Sequence, residues 1–414
     1  MQLQTQRWID RYAGQLLCAA LSLWERGKAC VGLGPRPAAS AQDVRHVLVI
    51  MLSEMGSVVL AGPMFGAIKA QFPNAQLHLL QLAKNRPVAE LLSLAPASHL
   101  HVLDDSSLPQ LVRSVLRFRA QMRALPLDVV IDCELFSRIS SIMAGISGAG
   151  LRAGFTPHTQ EGLYRGSTFN RALPYNPYRH ISLQFVSLVH ALFNSHSPRS
   201  KITALSTVPL HTGLQVHFEP AELQAYQAKL RADYPATQPC KLVLLYASGG
   251  ILPARAWPAD YYAQVARGLC AAGHAVGLIG LPEDSALAHS IIADVQHPHC
   301  IALTGYTRNM RELLLLLHTA DLLITIDGGP GHFASLTPIQ TMMFFGPETA
   351  KLYGPLSPRA TVFESGIACS PCLTAYNHRE TFCDGDNQCL KIIAPEPVLD
   401  MALHSLQPPK EVAP

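Results

Sequence analysis

The 414-residue sequence has few charged and few aromatic side chains. Asp, Glu, Lys and Arg make up 15% of it, and Phe, Trp and Tyr make up 7%. The usual charged share of a globular protein is about 25%. Because 49% of the residues are apolar, a disordered chain is excluded. The net charge of +3 is too small for the basic face that general nucleic-acid binding requires, so no nucleic-acid partner is expected.

No run of about 18 apolar residues occurs, so no membrane-spanning helix is expected. A shorter apolar run, Leu16–Trp24, follows Arg7 and Arg11, and Ala39–Ala41 loosely resembles a signal-peptide cleavage site. Charged side chains between the run and that site argue against secretion. The apolar residues of this segment recur on one helical face. They predict a helix that either docks on the protein's own surface or lies in a membrane interface.

The ten cysteines do not have the pattern of a secreted disulfide framework. Six occur singly, mostly inside apolar segments, as is typical of buried thiols in a reducing compartment, and we therefore expect a cytoplasmic protein. Four others are clustered within 21 residues, as Cys369, Cys372, Cys383 and Cys389. A tetrahedral zinc site, disulfides and reduced loop thiols are all compatible with this irregular spacing, and no metal ligand is assigned.

Two successive series of alternating strands and helices follow a Pro/Gly/Ala-rich linker at residues 32–45. The continuous apolar runs His46–Met51, Asp128–Cys133 and Lys241–Tyr246 are typical of buried parallel strands. We therefore predict an α/β protein with two Rossmann-like domains, whose parallel sheets face each other across a cleft. The predicted segments are a helix and linker (1–45), a first domain (46–205), a second domain (206–400) and a tail (401–414).

The segment Asp327–His332 follows the predicted strand Leu322–Ile326 and leads into a helix. Ligands of parallel α/β sheets bind at the carboxyl ends of the strands. Gly328 and Gly329 leave backbone N–H groups uncovered, and a helix N-terminus favours an anion. The sequence therefore predicts an anion site here, of a size suited to a diphosphate.

These residues also resemble a known family. Asp-x-Gly-Pro-x-His at 327–332, followed by Phe-Gly-Pro at 345–347 and Tyr-Gly-Pro at 353–355, resembles glycosyltransferase family 9, which includes the ADP-heptose:lipopolysaccharide heptosyltransferases. Further similarities extend from about residue 46 to 400, and they comprise Ile50–Leu60, Asp128–Asp132, Arg152–Phe155, Arg255–Pro258, Leu303–Gly305 and Ala320–Leu322.

The resemblance implies a GT-B-type fold, with an acceptor-binding first domain, a nucleotide-sugar-binding second domain and no required metal or other cofactor. It implies that Asp327, Gly328, Gly329 and His332 hold the diphosphate and sugar of an ADP-heptose-like donor. It also implies that Arg255 faces the phosphates and that Glu283 binds the ribose. Glu283 could instead complement the dipole of the helix that it begins.

The chain departs from the family at the glycine loop, where Gly56-Ser57 replaces the usual Gly-Asp. That Asp is the proposed general base, and a serine hydroxyl cannot take a proton near neutral pH without help. Glu54 lies in the same loop and is the first candidate for the base, followed by Asp132 and Glu134.

The predicted acceptor-binding residues lie in the first domain and are Ser57, Asp132, Glu134 and Arg138. Arg138 could bind a phosphate or carboxylate of the acceptor, or it could form an internal ion pair with Glu134 or Asp132. Asp327 is predicted to take part in catalysis with Glu54.

The predicted function is inverting transfer of a sugar, such as heptose, from a nucleoside-diphosphate donor to lipopolysaccharide or another surface glycan. Contact with the inner-membrane surface would bring the enzyme to a lipid-linked acceptor. Two alternatives remain open at this stage. One is a nucleotide-sugar-binding protein that has lost the transfer chemistry, and the other is a different nucleotide-sugar enzyme of GT-B shape, such as an epimerase.

Overall fold

The computed structural model describes residues 3–33, 38–52, 54–156, 163–193, 211–250, 252–377, 381 and 383–407. The chain divides into two compact units, Met1–Pro209 and Leu210–Pro414. Each unit contains a parallel sheet of six strands. The prediction of two parallel α/β sheets is therefore confirmed. The predicted boundary between residues 205 and 206 lies outside the described residues.

The first unit has the strand order β3-β2-β1-β4-β5-β6. Its strands are β1 (His46–Ile50), β2 (Gln76–Leu82), β3 (Leu100–Leu103), β4 (Val129–Asp132), β5 (Leu151–Phe155) and β6 (Arg171–Leu173). Its helices are α1 (Leu3–Cys30), α2 (Met55–Leu60), α3 (Gly62–Gln71), α4 (Arg86–Leu91), α5 (Leu108–Ala124), α6 (Arg138–Ile146) and α7 (Ile181–Ala191).

The second unit has the strand order β12-β11-β10-β7-β8-β9. Its strands are β7 (Leu242–Leu245), β8 (Ala275–Gly280), β9 (Cys300–Thr304), β10 (Leu322–Ile326), β11 (Gln340–Phe345) and β12 (Ala360–Glu364). Its helices are α8 (Pro220–Asp233), α9 (Ala259–Ala271), α10 (Ser285–Val295), α11 (Met310–Thr319), α12 (Gly329–Ala334), α13 (Ala350–Tyr353), α14 (Gln388–Lys391) and α15 (Pro395–Ser405).

The core of the second unit is organised around Trp257, which is buried directly before α9. Its ring stacks on Phe344 of β11 with the centroids 4.5 Å apart. Its indole N–H donates to the carbonyl of Ile393, 2.9 Å away, so the only polar atom of the side chain is satisfied. This packing fixes the segment that contains Arg255 against the sheet.

In the first unit, α5 and α6 cover the same face of the sheet. Phe118 of α5 and Met143 of α6 belong to one apolar cluster with Leu48 and Val130 of the central strands. The helix α1 lies on the outside of α6. The approach is close, because a Cβ atom added to Gly145 of α6 would come within 2.4 Å of the Leu21 side chain. The N-terminal helix is thus an outer layer on this face.

The long helix α1 does not have the composition of a bilayer-spanning segment. Across the described part of the chain, none of the helices combines the length and the apolar character needed to cross a membrane.

Candidate functional site

Four polar residues follow four neighbouring strands of the second sheet. Arg255 comes after β7, Glu283 after β8, Asp327 directly after β10 and Glu348 after β11. These strands are adjacent and parallel, so their carboxyl ends lie along one edge. This is the edge at which α/β proteins of this topology bind ligands.

The backbone around Asp327 holds the turn close to the sheet while leaving part of it open. The Asp327 N–H donates to the carbonyl of Phe344, 2.9 Å away. A Cβ atom on Gly331 would come within 2.9 Å of the Met343 sulfur, so glycine allows α12 to lie against β11. A Cβ atom on Gly329 would meet nothing within 4 Å. The backbone of Gly329 therefore faces open space.

Asp327, Arg255, His332 and Glu348 form one buried cluster. The Arg255 guanidinium pairs with the Glu348 carboxyl group, and its Nη2 lies 3.7 Å from Asp327 Oδ2. On the other side, His332 Nε2 lies 3.6 Å from Asp327 Oδ1. Three of these residues were predicted from the sequence to act together, and the structure brings them within ion-pair distance. Glu348 was not predicted.

The two carboxyl groups of the cluster have opposite pKa shifts. Burial raises the pKa of Glu348 well above its usual range, and the charge of Asp327 beside it adds to the effect. Burial alone would also raise the pKa of Asp327, but its contacts with Glu348 and His332 and the charge of Arg255 lower it to about 2. The pair therefore shares one proton near neutral pH, with Glu348 protonated and Asp327 ionised.

Three buried atoms of this cluster have no hydrogen-bond partner among the described residues. They are Asp327 Oδ2, Arg255 Nε and His332 Nδ1. A buried polar atom without a partner costs about 1–3 kcal/mol, and such atoms are rare in native structures. Two ring or guanidinium nitrogens and one carboxylate oxygen at one strand edge indicate a site that binds a polar ligand.

Glu283 is exposed in the turn that precedes α10. The adjacent Asp284, and not Glu283, accepts the backbone N–H of Leu281 at 2.9 Å. Both roles suggested for Glu283, binding the ribose and complementing the dipole of α10, stay predictions. No contact joins Glu283 to the Asp327 cluster among the described residues.

In the first unit, Asp132 is fully buried and its carboxylate pairs with Arg165 at 2.5 Å. Ser140 also donates to this carboxylate at 2.9 Å. Burial raises the pKa of Asp132 to about 6, although Arg165 opposes the shift. Arg165 also donates to several backbone carbonyls of the loop after β4, including that of Glu134 at 2.7 Å. Asp132 was predicted to contact an acceptor, but the structure gives it an internal, structural role.

The same correction applies to Arg138, which was predicted to bind an acceptor phosphate. Its side chain is buried, donates to the carbonyl of Tyr164 at 2.9 Å and lies 3.4 Å from Asp10 of α1. Asp10 also accepts the backbone N–H groups of Arg138 and Ile139, both at 3.0 Å. An internal ion pair was the alternative predicted for Arg138, but its partner is Asp10 and not Glu134 or Asp132.

Glu54, Ser57 and Glu134 lie at the carboxyl edge of the first sheet and are partly exposed. Glu54 precedes α2, and its carbonyl accepts the Ser57 N–H at 3.2 Å. The Glu134 carboxylate accepts the N–H of Leu52, the residue just after β1, at 2.6 Å. Their roles in catalysis and acceptor binding stay predictions.

The comparison with known families decides the relationship that these motifs suggest. The sequence model described as glycosyltransferase family 9 (heptosyltransferase) matches residues 115–382, more than half of the chain. The chain belongs to glycosyltransferase family 9. The predicted resemblance is therefore confirmed.

Known family 9 proteins are similar to this chain in sequence and in fold. Lipooligosaccharide heptosyltransferase 2 of Haemophilus influenzae is 30% identical over 113 residues, 27% of this chain and 32% of that protein. The chain thus matches about a third of the length of this curated relative.

Two solved structures are similar over most of the chain. A family 9 glycosyl transferase from Veillonella parvula has a TM-score of 0.68 and 18% identity, covering 87% of this chain and 97% of that one. The ADP-heptose LPS heptosyltransferase II of Escherichia coli has a TM-score of 0.65 and 17% identity, covering 87% and 98%. At these identities the similarity shows the fold, and it confirms the predicted GT-B type.

Two buried polar side chains near the glycine loop of this family 9 chain were missed from the sequence. Gln81 ends the buried part of β2, and neither of its amide atoms has a hydrogen-bond partner among the described residues. Asn85 donates to the Leu52 carbonyl at 2.9 Å, while its Oδ1 has no partner within that same part of the chain. Single Gln and Asn residues carry no periodic signal, so only the fold shows that they lie near the first strand's carboxyl end.

The four clustered cysteines do not form a disulfide, and all ten cysteines are free thiols. Cys389 is buried, Cys372 is half-buried, and Cys369 and Cys383 are exposed. Within the described residues, no three His, Cys, Asp or Glu side chains are grouped to hold a metal ion. The disulfide alternative is therefore not realised.

Proposed function

We propose that this protein is an inverting glycosyltransferase that moves a sugar from a nucleoside-diphosphate donor to a surface glycan. The cluster of Asp327, Arg255, His332 and Glu348, with its partnerless buried atoms beside an open glycine turn, carries the proposal. Membership of family 9 supports it. The similar proteins act on lipooligosaccharide or lipopolysaccharide, and one uses ADP-heptose, so we take these as the acceptor and donor classes.

In this proposal the donor diphosphate lies against the N–H groups of Gly328 and Gly329. Arg255 and His332 supply further donors, and these groups take the place of a divalent cation. A carboxylate would repel the diphosphate, so Asp327 accepts hydrogen bonds from a sugar hydroxyl and holds Arg255 and His332 in position. Glu283 accepts hydrogen bonds from the ribose hydroxyls. Transfer should then persist in excess EDTA.

The chemical step needs a base for the acceptor hydroxyl, and Glu54 is the proposed one. Its carboxylate takes the hydroxyl proton while the oxygen attacks the anomeric carbon. The bond from that carbon to the diphosphate oxygen breaks, and the nucleoside diphosphate leaves with the bonding electrons. Ser57 and Glu134 orient the acceptor. The proposed acceptor is a lipid-linked glycan. We therefore place the reaction at the cytoplasmic side of the inner membrane, with the enzyme in peripheral contact with the membrane.

Two substitutions test the two parts separately. Arg255→Ala should weaken ADP binding about 10–100-fold, because it removes a charged donor worth about 1.5–3 kcal/mol, and calorimetry measures this directly. Glu54→Gln should abolish transfer while leaving the ADP affinity unchanged. Unchanged turnover in the Glu54 variant would refute the base assignment. Donor binding by the native protein with no transfer to any acceptor would favour the alternative of a binding protein without transfer chemistry.

A further inference from the structure

The helix α1 exposes an unusually apolar outer face. Trp8, Tyr12, Leu16 and Leu23 recur at helical spacing, and their exposed fractions are 63%, 52%, 75% and 69%. Leu17 and Trp24 extend the same face and are also more than half exposed. Large apolar side chains that stand together on a surface mark an interaction site, whereas scattered ones do not.

Docking of α1 on the first unit does not cover this face. The opposite side of the helix makes the contacts, with Cys18 and Ser22 buried and the Ser22 hydroxyl accepting the Ser167 N–H at 2.8 Å. Asp10 is held by Arg138, and Glu25 pairs with Arg152 at 3.2 Å. The helix is therefore fixed with its apolar face outward. Of the two alternatives predicted from the sequence for this helix, the structure shows the docked one.

The helix α5 presents a second, similar face. Leu108, Val112 and Leu116 recur every four residues and are 48–61% exposed. Phe118 and Met122 on the other side pack in the core. The helix α5 contains no acidic residue. Its exposed surface also holds four arginines, Arg113, Arg117, Arg119 and Arg123.

The two exposed faces lie on the same side of the first unit. Both α5 and α6 cover one face of the sheet, and α1 lies outside α6. The start of α1 touches the start of α5, because Gln6 Nε2 donates to Asp105 Oδ2 at 3.0 Å. The exposed apolar rows of α1 and α5 therefore begin next to each other.

Charge on this side is strongly asymmetric. The only acidic residues of α1, Asp10 and Glu25, are both paired with arginines of the domain behind it. The exposed charged side chains of α1 are Arg7, Arg11 and Arg26. Near the joint, Asp105 accepts from Gln6 and Asp104 accepts the Ser106 N–H at 3.0 Å. The outward charge of the two helices is thus basic.

We infer that the outer faces of α1 and α5 together bind an anionic lipid bilayer. Trp and Tyr favour the level of the lipid headgroups, and Leu and Val side chains enter the acyl boundary. The exposed Arg11 and Arg26 of α1 and the four arginines of α5 attract anionic lipids, whereas a second copy of this chain would bring like charges together. The inference rests on the proposed function in one respect, since a lipid-linked acceptor is the reason for the enzyme to bind a bilayer.

The test is vesicle flotation of the full chain, without donor or acceptor, at about 0.1 M salt. One vesicle set is phosphatidylcholine, and the other contains 30% phosphatidylglycerol by design. The native chain should float with the anionic vesicles and bind the neutral ones at least tenfold more weakly. The variant W8Q/L16Q/W24Q should lose binding to anionic vesicles at least tenfold. The variant R117Q/R123Q should bind anionic vesicles more weakly than the native chain does. Its weak binding to neutral vesicles should equal that of the native chain.

Matched controls remove similar side chains elsewhere. Y178Q/I392Q removes two exposed apolar residues, and R308Q/R359Q removes two exposed arginines, so both should float like the native chain. Circular dichroism checks that every variant is folded. Equal flotation of the α1 variant and its control would overturn the inference, as would absence of flotation by the native chain. A dimer that the α1 variant converts to monomers, without vesicle binding, would assign the face to a second copy instead.

The outcome is independent of the proposed chemistry. Calorimetry with ADP on the same preparations reports the donor site alone. Intact ADP binding without flotation would overturn only the membrane inference, and flotation without ADP binding or transfer would overturn only the proposed function.

Discussion

Replacing Glu348 by glutamine should change the free energy of unfolding of the second unit by less than about 1 kcal/mol, the net value of one typical hydrogen bond. The reason is that Glu348 carries a proton near neutral pH, because burial and the adjacent Asp327 raise its pKa well above the usual range. A glutamine N–H can donate where the carboxylic O–H donates, and its carbonyl can still accept from Arg255. The substitution therefore copies the protonated state.

The effect of a second substitution follows from the same charge arrangement. In Asp327→Asn, the charge that adds to the raised pKa of Glu348 is removed, and Arg255 keeps the Glu348 carboxyl group as a partner, so the cost should be only about 1–2 kcal/mol. The double variant leaves the buried Arg255 without any carboxylate, and breaking a buried ion pair costs about 3–5 kcal/mol. At the middle of these ranges, the cost of the double variant should exceed the sum of the two single costs by about 2 kcal/mol.

Urea unfolding measured by Trp257 fluorescence is the suitable assay, in a background where Trp8 and Trp24 are replaced by phenylalanine. Trp257 is 1% exposed within the second unit, whereas the other two tryptophans are on α1, so the signal reports the unit that holds the cluster. The raised pKa of Glu348 makes the native chain lose stability as pH rises through that pKa, and Glu348→Gln should not share this loss. Additive costs, or a Glu348→Gln cost as large as that of the double variant, would refute the shared proton.

Three further predictions concern the packing around the two sites. Asp10→Ala should cost about 1–3 kcal/mol, because it removes a helix cap and the carboxylate beside Arg138, while Asp10→Asn keeps the cap and should cost less in urea unfolding. Burial and neighbouring histidines lower the pKa of His78 to about 3. The free energy of unfolding of the native chain should therefore fall by up to about 1.4 kcal/mol per pH unit below pH 6.5. His78→Gln should make the melting temperature depend less on pH in this range. Gly331→Ala should cost about 1–3 kcal/mol and weaken ADP binding because the new methyl group meets β11, whereas Gly329→Ala has open space and should leave stability almost unchanged.

The strands could be predicted well where burial on both faces produced unbroken apolar runs. The predicted strand Leu322–Ile326 has the same bounds in the structure. The helix α7 was missed because it is buried on nearly every side and therefore has no polar face to give a helical period. The helices α2 and α3 also follow each other without a polar break, since Gly62 and Pro63 begin α3 directly after α2.

The candidate site was predictable only where a motif and a strand end coincide. Asp327 and His332 lie five positions apart in one turn, and Arg255 follows a neighbouring strand at the same sheet edge, so topology alone places the three residues near each other. Glu348 has no such signal, because an acidic residue after Gly-Pro is most often a solvated loop residue. Only the pairing of β10 with β11 brings it beside Arg255 and Asp327.

The ion-pair partner of Arg138 could not be predicted from the sequence. A buried arginine needs an acidic partner, and the nearest acidic residues along the chain, Asp132 and Glu134, were the natural candidates. Asp132 is instead taken by Arg165, and Arg138 pairs with Asp10, 128 positions earlier in the chain. No local pattern could reveal this, because α1 reaches α6 across a linker.

This pairing also changes what the first unit offers to an acceptor. The three arginines associated with β4 and β5, Arg138, Arg152 and Arg165, are all buried and paired with carboxylates inside the unit. They are therefore not available to bind an acceptor phosphate. Of the residues predicted for catalysis and acceptor binding in this unit, Glu54, Ser57 and Glu134 are the ones that are partly exposed at the carboxyl edge.

The two carboxylates accept hydrogen bonds well and repel anions, so their immediate surroundings favour a part of the acceptor that presents neutral hydroxyl groups. The same property suits the proposed chemistry, because a hydroxyl that donates to Glu54 is positioned to lose its proton to that carboxylate. A phosphate or carboxylate on the acceptor would be better accommodated away from these groups. The arginines of α1 and α5 supply positive charge elsewhere in the first unit, on the face assigned to anionic lipid.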